Sequence, residues 1–88
     1  MSRAALPALW KDIPMAQHRL ESLVTGTVWK VERQVGDAVA AGDTLLILES
    51  MKMEIPIEAP VAGTLKELLV IEGESVTEGQ VLVLLVSP

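Results

Sequence analysis

Eighty-eight residues, half of them apolar, suffice for one small hydrophobic core and not for two. The two aromatic residues, Trp10 and Trp29, leave that core to Val, Leu and Ile, and the absence of cysteine removes disulfides, thiol catalysis and Cys-based zinc sites. A net charge of −5 argues against nucleic acid or an anionic membrane surface as the main partner.

The chain opens on "MSRAALPALWKDIPMA", whose apolar stretch is short and broken by Pro7 and Lys11, unlike a secretory signal. Later apolar runs such as Val81 to Val86 are strand-sized, far below the roughly 20 residues of a membrane span, so a soluble cytoplasmic protein with no direct membrane insertion is expected. Within the opening segment Leu6, Leu9, Trp10 and Ile13 follow the spacing of a helix face, bracketed by Pro7 and Pro14. A short helix on the domain, a partner-binding tail and a flexible leader all fit residues 1–16. The domain itself is expected over residues 17–88.

Beyond the leader the chain repeats itself. At an offset of 37, from Gly26 to Gly63, "GTVWKVERQVGDAVAAGDTLLILES" lies over "GTLKELLVIEGESVTEGQVLVLLVS" without a gap. Gly36 meets Gly73, Val39 meets Val76, Gly42 meets Gly79, and Leu45 and Leu48 meet Leu82 and Leu85. Two copies are too few for a solenoid and predict one domain with internal pseudo-two-fold symmetry, its half-repeats covering about 20–50 and 57–87. In each copy a β-rich segment opened by glycine is followed by a glycine-punctuated turn region where φ > 0 is expected. A nearly continuous apolar run then closes the copy, "TLLILES" or "VLVLLVS", as expected of strands buried on much of both faces. The reading is an all-β flattened barrel or sandwich. Trp29 matches Lys66 in the repeat, a place expected to face solvent. An exposed Trp reads either as a contact surface or as a side chain half-covered by a neighbouring loop, and isolated exposed apolar residues are common.

Between the copies runs "ESMKMEIPIEAP", Glu49 to Pro60, with Lys52 between Met51 and Met53. A tight hairpin with Met51 and Lys52 as its central residues would pair Ser50 with Met53, Glu49 with Glu54, Leu48 with Ile55 and Leu46 with Ile57. One face then collects Leu46, Leu48, Ile55 and Ile57 as core, and the other sets two glutamates opposite each other. Two local rules break here. Tight hairpins favour Asn, Asp or Gly at the turn, and like charges directly opposite destabilise a sheet. Such failures concentrate where function overrides stability, so Lys52 reads as presented on purpose. A Schiff-base lysine needs a neutral amine made by burial or nearby positive charge. Here the sequence neighbours are Glu49, Glu54 and Glu58, which favour the ammonium. A projecting, protonated lysine does little chemistry itself, but another enzyme can acylate it.

"ESMKME", set between two glycine-punctuated half-domains, resembles the attachment site of biotin carboxyl carrier proteins and the wider biotinyl/lipoyl attachment family. The likeness covers about Leu20 to Val86. It implies a flattened barrel of two four-stranded antiparallel sheets with the attachment lysine on a protruding hairpin turn. It also implies that a biotin protein ligase joins biotin to Lys52 by an amide bond, with Met51 and Met53 as the flanking motif and Glu49 and Glu54 in ligase recognition. Gly26, Gly36, Gly42, Gly63, Gly73 and Gly79 match the family's turn glycines, and "SMKM" stands where "AMKM" is usual. Resemblance further implies a non-catalytic carrier: a biotin carboxylase loads the bound biotin with a carboxyl group, and a carboxyltransferase hands it on. An acyl-CoA carboxylase, such as the acetyl-CoA enzyme of fatty acid biosynthesis, is one such setting. The two copies align without the inserted "thumb" of some carriers, which suggests the thumbless type.

Three other readings compete. Lipoyl carriers of 2-oxo acid dehydrogenase complexes share the fold and the lysine but usually show "DKA" at the site, so methionine on both sides favours biotin. An unmodified interaction domain would use the methionines as an apolar patch. An enzyme in its own right would have His18 as its sole histidine and no metal-ligand cluster to work with; Ser50 beside Lys52 reads as the small residue before a turn.

Overall fold

Each β-rich segment of the sequence is a strand in the computed structural model, which describes residues 16–87. Eight strands follow in order: β1 (Ala16–Glu21), β2 (Gly26–Val31), β3 (Ala38–Val39), β4 (Thr44–Ser50), β5 (Met53–Glu58), β6 (Gly63–Leu68), β7 (Ser75–Val76) and β8 (Val81–Ser87). Each of β5 to β8 begins 37 residues after its counterpart among β1 to β4. The repeat therefore reaches back to Ala16; the sequence places its start near residue 20 because "AQHRLE" and "MEIPIE" agree only at Leu20 with Ile57 and Glu21 with Glu58. The helix, tail or leader expected of the opening segment falls outside the described residues.

The strands form two four-stranded antiparallel sheets, ordered β1-β8-β6-β3 and β5-β4-β2-β7. Each sheet takes two strands from each copy, so neither copy can complete a sheet alone. The turns reinforce this exchange. Gly36 N–H donates to Leu65 C=O at 2.8 Å and Leu65 N–H to Asp37 C=O at 3.0 Å, while in the mate Gly73 N–H donates to Val28 C=O and Val28 N–H to Glu74 C=O, both at 2.8 Å. The turn of one copy thus clamps the strand of the other.

Four turns share one chemistry, in "QVGD", "AAGD", "IEGE" and "TEGQ". The third residue of each is a glycine at φ between 89° and 97°. The fourth residue's side chain, from Asp37, Asp43, Glu74 or Gln80, accepts from the first residue's N–H at 2.9–3.1 Å. The fourth residue's own N–H donates back to the first carbonyl. The β2–β3 and β6–β7 connections have the same length, as the thumbless reading requires.

The core is aliphatic. Among its fully buried members are Leu45, Leu46, Leu48, Leu65, Leu82 and Leu85, most of them repeat mates of one another. The apolar runs of β4 and β8 owe their continuity to bulges rather than to a second covered face. The β4–β5 register shifts between Thr44 and Leu46, which lets Leu45 and Leu46 both turn inward. Ile47, on the opposite face, is only half-buried. Leu48→Ala should destabilise the domain by about 2–5 kcal/mol, as for other buried leucines, with an unchanged denaturant slope. Urea unfolding showing a loss under about 0.5 kcal/mol would mean that Leu48 is not core.

Candidate functional site: the apex of the β4–β5 hairpin

The ladder between β4 and β5 has the expected register. Ser50 pairs with Met53, Glu49 with Glu54, Leu48 with Ile55, Ile47 with Pro56 and Leu46 with Ile57. Leu46, Leu48 and Ile57 are buried and Ile55 packs against them, so the inner face of the hairpin is anchored in the core almost to its tip. Met51 and Lys52 form the turn, with φ of 54° and 67°. Positive φ at both central residues is what the right-handed twist of a two-residue hairpin demands. Neither residue is of a type that adopts it readily, and each side chain costs about 1–2 kcal/mol there.

Two neighbours, Thr25 and Gly26, hold this turn in place at the start of β2. Gly26 opens β2 against the tip: a Cβ there would overlap the Glu49 carbonyl oxygen and lie 3.2 Å from Ser50 Cβ. Gly63 meets the Val86 carbonyl in the same way. These two glycines, grouped with the turn glycines in the sequence, thus serve close approach of strands and have no positive φ. Ser50 Oγ donates to the Thr25 carbonyl at 2.9 Å, which ties the strand end to the β1–β2 connection. That bond gives a reason for serine where the motif usually has alanine, and it turns the hydroxyl away from any pairing with Lys52. Thr25 and Gly26 are the supporting residues that reading the motif alone misses. The signal available was the shared glycine that opens both copies.

Around the apex the side chains stand in solvent. Met51 is 92% exposed and Met53 64%, and Lys52, Glu49 and Glu54 are exposed as well. Among the described residues the one ion pair joins Arg33 to Asp43 at 3.8 Å. The Lys52 ammonium is therefore not tied down by either glutamate. An accessible primary amine on a rigid support is what a covalently attached group requires, and the residues present fit that demand. His18 lies on β1, with Nε2 3.0 Å from Ser87 Oγ. Ser87 ends β8, the repeat mate of β4, so this contact belongs to the opposite end of the domain. No cluster of three His, Asp or Glu side chains able to hold a metal ion occurs among the described residues.

A single-lysine hairpin on a two-fold β-scaffold defines a carrier domain. Residues 14–85 match the biotin/lipoyl family described as biotin-requiring enzyme, and the chain belongs to that family. It is 49% identical over 59 residues to a biotin/lipoyl attachment protein of Bacillus subtilis, a stretch covering 67% of this chain and 81% of that protein. Against the pyruvate carboxylase of the same organism it is 46% identical over 57 residues, 65% of this chain but 5% of the relative. Among solved structures, a single-chain, multi-domain long-chain acyl-CoA carboxylase superposes with a TM-score of 0.76 at 31% identity, covering 97% of this chain and 9% of that one. The chain thus spans most of the small attachment protein and only a small part of the large carboxylases.

If the turn is strained as its dihedral angles indicate, Met51→Asn should stabilise the domain by about 1 kcal/mol, since Asn tolerates the left-handed region. Thermal or urea unfolding showing a loss of stability would contradict that strain.

Proposed function

We propose that Lys52 is acylated with biotin by a biotin protein ligase and that the loaded domain shuttles carboxyl groups from a biotin carboxylase to a carboxyltransferase. The observation that carries this reading is the exposed amine, unpaired among the described residues, at the apex of a turn held in an unfavourable backbone conformation. Family membership and the carboxylases among the relatives support it.

The domain's own contribution is positional. Bound biotin supplies the carboxyl-carrying chemistry, while the protein supplies attachment, recognition and reach. Nζ must give up a proton before it can form an amide. Among the described residues no ion pair to Glu49 or Glu54 holds that amine. Once the arm is in place, tethering turns the encounter with each active site into a nearly intramolecular one, with effective concentrations of about millimolar order for a short flexible link. A stiff hairpin presents the arm at a fixed place, and the net negative charge of the chain discourages self-association. We further propose that the protein works in the cytoplasm and that the acceptor is an acyl-CoA thioester.

The name of the Bacillus relative gives a second reading, because it joins biotin with lipoate. Methionines on both sides of Lys52 favour biotin, and the mass added to the intact protein separates the two.

Lys52→Arg should leave the fold intact and abolish incorporation of labelled biotin; label entering that variant would place attachment elsewhere. Glu49→Lys with Glu54→Lys should keep the unfolding midpoint close to wild type, because one repulsive cross-strand pair replaces another. The same change should cut ligase kcat/KM by about tenfold if the carboxylates are recognised. Unchanged ligase kinetics would remove Glu49 and Glu54 from recognition.

A further inference from the structure

The outer face of the sheet that carries the hairpin has a composition that neither the core nor the arm requires. Alternation along β4 sets Ile47 on the face opposite Leu46 and Leu48. On one side Ile47 pairs with Pro56 of β5. On the other, the β2–β4 register shifts between Val28 and Lys30, so Trp29 and Lys30 together stand opposite Ile47. Trp29 is 48% exposed at this bulge, Pro56 is exposed, and Ile47 is half-exposed. The three residues make an apolar row across β2, β4 and β5, about 10 Å along the strand from Ser50.

The pseudo-two-fold supplies an internal control. The equivalent row on the other sheet is Lys66, Leu84 and Arg19, at a matching bulge between Leu65 and Glu67 and in matching register. One scaffold accepts Lys and Arg where the hairpin sheet has Trp and Pro, so folding does not demand the apolar pair. The row nearer the tip differs in the same sense: Glu49 and Glu54 correspond to Val86 and Gln17. The sheet that presents Lys52 therefore carries an apolar strip of Trp29, Ile47 and Pro56, with Lys30 beside Trp29 at the bulge and two carboxylates nearer the tip. Its pseudo-symmetric twin has Lys66 and Arg19 in place of Trp29 and Pro56, Glu67 in place of Lys30, and no carboxylate at the positions of Glu49 and Glu54.

We propose that the Trp29–Ile47–Pro56 row is the docking face for the biotin ligase, which meets it with an apolar surface rimmed by Lys or Arg side chains that face Glu49 and Glu54. This rests on the biotinylation of Lys52 proposed above. A carboxylase can grip the biotin itself, but the ligase must recognise the domain before any arm exists, so its affinity comes from the protein surface. A half-exposed Trp in an apolar strip is the kind of residue on which such affinity concentrates.

The test replaces the row by its own repeat mates, Trp29→Lys with Pro56→Arg, which the fold already accommodates at equivalent positions. With the full chain, a biotin protein ligase, ATP and saturating biotin, KM for the domain should rise about tenfold or more while kcat changes less than about twofold. Lys66→Ala, on the other sheet, should leave KM unchanged. The single variants Trp29→Lys and Pro56→Arg, each with its melting curve, keep the reading interpretable if the double variant loses its fold. A kcat/KM within about twofold of wild type for well-folded variants would overturn the proposal. A loss confined to carboxylation of the loaded domain would also overturn it, by giving the face to the carboxylase. If the wild-type chain accepts no biotin, the attachment reading itself fails and this one with it.

Discussion

Holding Met51 and Lys52 at φ of 54° and 67° asks two ordinary side-chain-bearing residues to adopt a conformation that disfavours them by about 1–2 kcal/mol each. Asn-Gly would make the same bend without that cost. What keeps the bend closed is the ladder beneath it, where Leu46, Leu48 and Ile57 are buried and the register fixes which side chains face in. Gly26 and Ser50 add the last restraint, one by letting the Glu49 carbonyl approach β2 and the other by bonding to Thr25. The amine is therefore displayed by a support that reaches the core at Leu48 and Ile55, three residues from the turn on either side.

The support is rigid because the two copies are interlaced. Each sheet draws strands from both, and each copy's first glycine turn is hydrogen-bonded to a strand of the other. Opening one half would break ladders in both sheets, which makes the domain a single cooperative unit. Duplication also separates structure from function. Positions alike in both copies, such as Leu48 and Leu85 or Gly26 and Gly63, serve the fold. Among the positions where the copies diverge are those around Lys52 and on the outer face beside it.

Much of this was readable from residues alone, for reasons that can be named. The hairpin register was legible because a two-residue turn at Met51 and Lys52 puts Leu46, Leu48, Ile55 and Ile57 on a common face, and a slip of one residue would split them. The attachment lysine stood out because "MK" is poor turn chemistry with glutamates opposed beside it. The bulges were not legible. Trp29 and Lys66 look like ordinary strand residues, and their displacement follows from a ladder that shifts by one position. Nor did the short segments Ala16–Glu21 and Met53–Glu58 declare themselves as mates, since edge strands keep few apolar positions in common. The role of Gly26 depends on how near another strand's carbonyl passes, which no local sequence rule encodes.

Peptide-level mass spectrometry of the chain co-expressed with an active biotin ligase tests the central claim most directly. The account predicts one biotinyl group per chain, located on Lys52 and blocking tryptic cleavage after it. An unmodified chain, a lipoyl group in its place, or biotin on another lysine would contradict it.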